Sequence, residues 1–324
     1  MIRRSFLYLF LSLVFLFRLL PLFLNSSIPS YPSNPSNPLQ QKLDLTFASL
    51  LPNNEAGLLS GIVLGTKKSL SMKLYEEMQQ NGTLHIAVAS GMNVTLLAGF
   101  LFPILTLLFK RKTALIPLAI MIWFYAYLTG YQPPIIRASI MVSLTYLAQE
   151  FGRKADSQRI LWLTGFVMVL FSPQLVFSLS FQLSFVSMLG LAYLEPLLKP
   201  KKNIFLIWLA PTLACQLATL PLIMANFGEY NLLSPLINLM VLWTTPIILT
   251  LGLLTAIFSL VIRPISQLLA YLVYPLLHYF VIVMEFFSKL KFFQVWTPKW
   301  GLVIGIGYYL LIGWWVFRNT NRSE

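Results

Sequence analysis

Residues 84–130 read LHIAVASGMNVTLLAGFLFPILTLLFKRKTALIPLAIMIWFYAYLTG. Two apolar runs, 84–109 and 113–129, are separated only by the basic triplet Lys110-Arg111-Lys112. A helix that crosses bilayer hydrocarbon needs about 20 apolar residues, and Lys and Arg accumulate in the turns on the cytoplasmic side. The stretch therefore predicts two crossings joined at one aqueous face. The alternation continues with runs near 137–151, 160–172, 176–195, 203–224, 232–260, 265–287 and 299–317. The expected fold class is all-α: a polytopic integral membrane protein of about ten transmembrane helices. Composition agrees. The 324 residues are 57% hydrophobic and 10% charged, with a mean hydropathy of +0.75; soluble domains carry roughly 25% charge, so a water-soluble enzyme is excluded.

Upstream, the apolar run 5–24 follows Arg3 and Arg4 and reads as a retained first span, since it is long for a signal core and no small-x-small cleavage site follows it. SSIPSYPSNPSNP, residues 26–38, reads as a linker. Residues 39–54 are weakly amphipathic, and Gly57, Gly61 and Gly65 then recur every four residues, a small-residue face for close helix packing. Residues 67–81 read as an interfacial amphipathic helix ended by Gly82. The expected organisation is an N-terminal helix (1–24), a linker with an amphipathic segment (25–54), a transmembrane domain (55–317) and a short tail (318–324).

Lys and Arg number 23 against 10 Asp and Glu. In a soluble chain that excess points to nucleic acid; in a membrane protein, orientation is a competing cause. With the N-terminus inside, ten spans leave 14 basic residues cytoplasmic, Arg3, Arg4, Lys110–Lys112, Arg263 and Arg318 among them, and eight outside, including Lys42, Lys73 and Arg137. Both termini are thus expected in the cytoplasm. A lone cysteine, Cys215, excludes an internal disulfide, and two isolated histidines, His85 and His278, make a zinc site untenable. No metal or cofactor is expected.

Four patches place polar or helix-breaking residues where hydrocarbon penalises them. Gly82-Thr83-Leu84-His85 leads to Ala89-Ser90-Gly91-Met92-Asn93-Val94; on a regular helix His85, Ala89 and Asn93 share a face, while Ser90-Gly91 permits local unwinding. Thr129-Gly130-Tyr131-Gln132-Pro133-Pro134 delivers Arg137 to the mouth of a helix. Leu179-Ser180-Phe181-Gln182-Leu183-Ser184-Phe185 buries a glutamine in an apolar run. The fourth runs from Ala214 to Asn238 and holds Gln216, Thr219, Pro221, Gly228, Asn231, Pro235 and Asn238.

In order and spacing these patches resemble the competence domain of the ComEC family, the membrane channel of bacterial DNA uptake: G-x-x-H-x-x-x-x-S-G-x-[HN]-V, T-G-x-x-x-x-x-x-R-A, F-Q-L-S-F and P-L-x-x-x-x-F-x-x-x-x-x-x-S-P-x-x-N all occur, across roughly 55–290. Where many relatives have a second histidine this chain has Asn93, which argues against a mechanism needing two imidazoles. Full-length relatives also carry an OB-like domain and often a metallo-β-lactamase-like domain. About 30 residues lie between the first span and the glycine repeat, and seven follow the last span, so the expectation is the channel core alone.

The resemblance implies a multi-pass channel of the inner (cytoplasmic) membrane that passes single-stranded DNA, with His85, Ser90, Asn93, Arg137, Gln182, Ser184 and Asn238 lining or gating the path and Gly57, Gly61, Gly65 and Gly91 packing helices. No catalytic step is expected. Ser90 and His85 lie five apart, about 140° around a regular helix, with no carboxylate nearby in sequence to orient the imidazole. Without a P-loop or metal cluster, a DNA receptor, a nuclease and a cytoplasmic motor are expected as separate partners beside the lipid bilayer, and a homo-oligomer is compatible. The residues leave alternatives open. His85 suits a helix end at the interface as well as a gate; Ser90, Ser184 and Thr219 can bond their own helix; Gln182 and Asn238 suit a dry helix contact as well as a wet cavity; Arg137 suits an interface anchor as well as a phosphate contact. A small-solute permease on the same helices, with a compact midplane site, is the rival function.

Overall fold

The computed structural model describes residues 37–87, 89–152, 156–199, 203–290, 294–296 and 302–320. The expected first span, the linker up to residue 36 and the last four residues of the tail lie outside that set.

Asn37 opens the first helix. Its Oδ1 accepts the Gln40 N–H at 2.6 Å, and Pro38 takes the first helical position, where no N–H is needed. This helix, α1 (Pro38–Leu50), buries Leu43 and Phe47, and α2 (Asn53–Leu64) is buried from Glu55 to Leu64. Residues 39–50, expected as an amphipathic segment, thus form a helix with one face packed in the core, and Pro38, expected as the end of the linker, is its first residue. The reason is visible in the i, i+4, i+8 placement of Leu43, Phe47 and Leu51 on one apolar stripe, which meets the α2 side of the core. Gly57 and Gly61 act as the spacing predicts: a Cβ on either would collide with a backbone carbonyl oxygen, of Ser69 and Ala87 respectively. Gly65 does not share that role. It has φ +73° and ends α2 as a left-handed cap. Next, α3 (Met72–Gln80) starts five residues later than predicted, where Ser71 caps the Leu74 N–H, and it stops before Gly82 at φ +69°.

The first polar patch is split. α4 (Leu84–Ala87) stops after one turn and α5 (Gly91–Leu108) starts afresh, so His85, Ala89 and Asn93 do not share a helix face. Between them the Ala89 N–H leaves the helical pattern and donates to Gly61 O at 2.9 Å, and Ser90 is extended at φ −114°. There follow α6 (Arg111–Leu128), α7 (Pro133–Glu150), α8 (Ser157–Phe171), a 3₁₀ turn (Pro173–Phe177), α9 (Leu179–Tyr193), α10 (Glu195–Leu198) and α11 (Ile204–Asn226). The run 232–260, expected as one span, is bent by 47° between α12 (Ser234–Leu242) and α13 (Thr245–Ser259), with Pro246 just past the break. α14 (Arg263–Ser288) and α15 (Leu302–Thr320) close the described chain.

Among the described residues, three helices are long and apolar enough to cross a membrane: Gly91–Leu108, Ile207–Asn226 and Arg263–Ser288. The bent α12–α13 pair makes a fourth. Apolar helices such as Ser157–Phe171 and Leu179–Tyr193 are shorter than a crossing needs, because Ser-Pro and Leu-Glu-Pro turns cut the apolar runs. Among the described residues, length and apolarity thus support three to four crossings, where the sequence predicts about ten for the whole chain with the first span outside this set. The outward faces carry exposed Phe100, Leu107, Ile116, Trp162 and Leu310, the surface of a membrane protein.

Two ties order the ends of the helices. β1 (Glu229–Asn231) pairs antiparallel with β2 (Gln294–Trp296), which brings the turns after α11 and α14 to one face. Glu150 lies 3.8 Å from Arg111 and 3.7 Å from Lys112, joining the ends of α7 and α6. Lys42 and Arg263, assigned to opposite faces from sequence, line one groove of about 570 Å³ beside α1. The larger core cluster joins α1–α4 to α12–α14, and a second joins α5–α7.

Candidate functional site

The four polar patches, dispersed over more than 150 residues of sequence, meet. The first joins the second at the break before α5, where Gly91 packs against the Arg137 guanidinium: a Cβ there would sit 2.7 Å from Nη2. The second joins the third through Arg137 Nη1, which donates to Ser184 O at 2.7 Å. The third joins the fourth where α9 lies against α11; Cys215 Sγ approaches Ser187 O at 3.7 Å, and Gly190 leaves room for Ala214 O. The fourth returns to the first. A Cβ on Gly82 would collide with Ser234 Oγ, and Asn231 Nδ2 donates to Asn81 Oδ1 at 3.4 Å. The result is a closed circuit of contacts through α4, α5, α7, α9, α11, α12 and back.

On the Gly82 side the circuit is a polar network. Tyr230 donates to Gln216 Oε1 and Gln216 Nε2 donates to Ser234 Oγ, both at 3.0 Å. Burial pushes the Tyr230 phenol up to about 12, so it keeps its proton and remains a donor. Asn81 Nδ2 reaches Met284 O at 3.0 Å, fixing α14 to the turn before α4. His85 stands exposed beside this network.

The individual candidates divide. Asn93 is 1% exposed; its Nδ2 donates to Ile62 O at 2.8 Å and to the Tyr125 hydroxyl at 3.2 Å, so it braces α5 against α2 and α6 inside a buried contact. Ser90 Oγ turns onto Asn93 Oδ1 at 3.2 Å. Gln182 is half-buried and closes its own turn by donating to Val176 O at 2.8 Å. Ser184 contributes its carbonyl rather than its hydroxyl to Arg137. Asn238, on the buried face of α12, has an Oδ1 without a hydrogen-bond partner. Arg137 is buried in the first turns of α7, directly after the Pro133-Pro134 start.

Sequence reasoning assigned no role to Tyr125, Asn81 or Gln132, whose Nε2 donates to Gly65 O at 2.7 Å. It also left out the pair in which buried Glu55 Oε1 meets His278 Nδ1 at 2.8 Å. Their partners lie 32 to 223 residues away, beyond any local pattern.

Comparison with known proteins follows the same residues. The family model described as Competence protein matches residues 62–322, starting inside α2 and extending through α15. ComE operon protein 3 of Bacillus subtilis (strain 168) is 29% identical over 218 residues, 67% of this chain and 28% of the relative. An uncharacterized protein of Aquifex aeolicus (strain VF5) is 33% identical over 125 residues, 38% of this chain and 29% of the relative. The aligned segments thus span under a third of the length of these relatives. No solved structure matches.

Proposed function

The chain belongs to the competence protein family, and from that premise we propose that it is the membrane core of a DNA-uptake machine, a channel that passes single-stranded DNA across the cytoplasmic membrane. The observation that carries this reading is the closed circuit. Four patches that hydrocarbon would penalise separately are assembled around one broken helix, the arrangement membrane proteins use where polar groups and irregular backbone line a path. His85, Ser90 and Arg137 are its accessible or charged members; Asn93 holds the frame. A path with amides, hydroxyls and a single arginine suits a polyanion that has to leave as well as enter.

The channel is read as crossing the membrane about ten times, the shorter helices included, with both termini in the cytoplasm. We assign it no chemical step. Strand processing and energy are assigned to separate proteins: a DNA receptor, a nuclease and a motor. The comparisons lend no support to the small-solute permease. Transformation with labelled DNA, scored as internalised strand in cells carrying the wild-type chain, a deletion or His85→Ala, tests the proposal. Loss of internalised DNA with surface binding retained is expected for the deletion; normal uptake in the deletion strain refutes it.

A further inference from the structure

Arg137 is 8% exposed. Its Nη1 is spent on Ser184 O, its Nε has no partner, and among the described residues no carboxylate stands within ion-pair distance of it. A buried cation without a counter-charge is costly, and folded proteins resolve the cost by pairing it. Close beside it lies the positive end of a helix. α5 begins at Gly91, its 18 residues present unpaired N–H groups at that end, no acidic residue lies in its first turn, and Ser90 turns its hydroxyl onto Asn93 instead of capping. Gly91 is what allows the approach, since any Cβ would fall 2.7 Å from Nη2 and 3.3 Å from Ala138 Cβ.

The guanidinium thus lies beside the positive start of α5. Among the described residues Nε has no hydrogen-bond partner and the one bond from the guanidinium leaves through Nη1, so the Nε–Nη2 edge, which binds oxyanions in bidentate fashion, is left over. Ser90, Gly91 and Met92 are half-buried, so a ligand can reach the helix end. We propose that the Nε–Nη2 edge of Arg137 and the N–H groups at the start of α5 form one oxyanion site that receives a phosphodiester of the nucleic-acid strand. A phosphodiester offers two non-bridging oxygens, one for the guanidinium edge and one for the helix end. That the oxyanion belongs to a nucleic acid rests on the proposed function; the site itself does not.

The test uses the full chain in discs of zwitterionic lipid, with a short fluorescent oligothymidylate as the probe and inorganic phosphate as competitor. Wild type is expected to bind the probe in a phosphate-sensitive way and to ignore the same oligomer with an uncharged methylphosphonate backbone. Arg137→Gln should weaken binding about tenfold or more, the scale of one charge-assisted contact, and Arg137→Lys should restore part of it. Gly91→Ala, which keeps every charge but displaces the guanidinium, should also weaken it, and this variant decides the matter if Arg137→Gln does not fold. Unchanged binding in folded Arg137→Gln or Gly91→Ala, or equal binding of the uncharged oligomer, overturns the site. If binding falls as expected while cells deleted for the whole chain take up DNA normally, the site stands and the channel reading fails. If uptake is lost while binding is unchanged, the site fails and the channel reading survives.

Discussion

Gly190→Ala should loosen the protein at the joint between α9 and α11. A Cβ at Gly190 would lie 2.6 Å from Ala214 O and 2.7 Å from Ala218 Cβ, whereas ordinary contact starts at 3.4 Å. The two helices must separate by about 0.8 Å, the difference between those distances, and the 3.7 Å approach of Cys215 Sγ to Ser187 O opens with them. Because the obstacle is a backbone carbonyl, no rotamer change relieves it. Overpacking of this kind costs about 1–3 kcal/mol, against a gain of roughly 0.5–1 kcal/mol for replacing glycine within a helix. The net expectation is a loss of about 0–2.5 kcal/mol. Gly99→Ala on α5 is the control, since nothing lies within 4 Å of its Cβ; it should show the helix gain alone. Thermal unfolding of both variants in the same detergent, followed by tryptophan fluorescence and by the monodisperse fraction, should move in opposite directions. Equal or higher stability of Gly190→Ala relative to Gly99→Ala would refute the close approach of the two helices.

Phe47→Ala should cost about 3–5 kcal/mol, the range for emptying a buried aromatic site, because Phe47 is fully buried; loss of monodisperse protein reads it, and a surface segment would show no such loss. In a Cys215→Ala background, His85→Cys should react quickly with a small water-soluble thiol reagent and Asn93→Cys slowly, since the first is exposed and the second 1% exposed; fast labelling at 93 would return Asn93 to a wet path. Burial raises the Glu77 carboxyl above 4.5 while Lys73 pulls it down. The folded state holds that proton more tightly than the unfolded chain, so the contribution is full at low pH and is lost as pH rises through the folded value. Melting temperature should therefore fall through this group as pH rises past the ordinary carboxylate value, and Glu77→Gln should flatten that part of the profile.

Turn chemistry was legible wherever a residue type dictates backbone. Gly82 marks the end of α3, Pro133-Pro134 the start of α7, Ser172-Pro173 the end of α8, and Ser90-Gly91 the place where the first patch unwinds. The order of the four patches was legible too, because each is a local string. What joins them was not. The helical spacing of His85, Ala89 and Asn93 is real in the sequence, yet a single long-range bond from Ala89 N–H to Gly61 O outweighs it. The apolar stripe of residues 39–50 was legible, but an amphipathic stripe shows that a face is apolar without showing what covers it. The bend at residue 244 carried a signal, Pro246, inside a run whose hydropathy alone reads as continuous.

The contact between Asn81 and Met284 sets a timetable for the ribosome. Its partners are separated by 203 residues, and at roughly 5–20 residues per second the nascent chain waits about 10–40 s between making one and making the other. Throughout that interval α2 and α3, 12 and 9 residues long, are too short to hold a place in the bilayer alone, and the helix that covers Glu55 and Asn81 does not yet exist. An insertase or chaperone that shelters this early segment would set the yield of the protein, and truncations upstream of α14 should be cleared by membrane proteases even when every earlier helix is present.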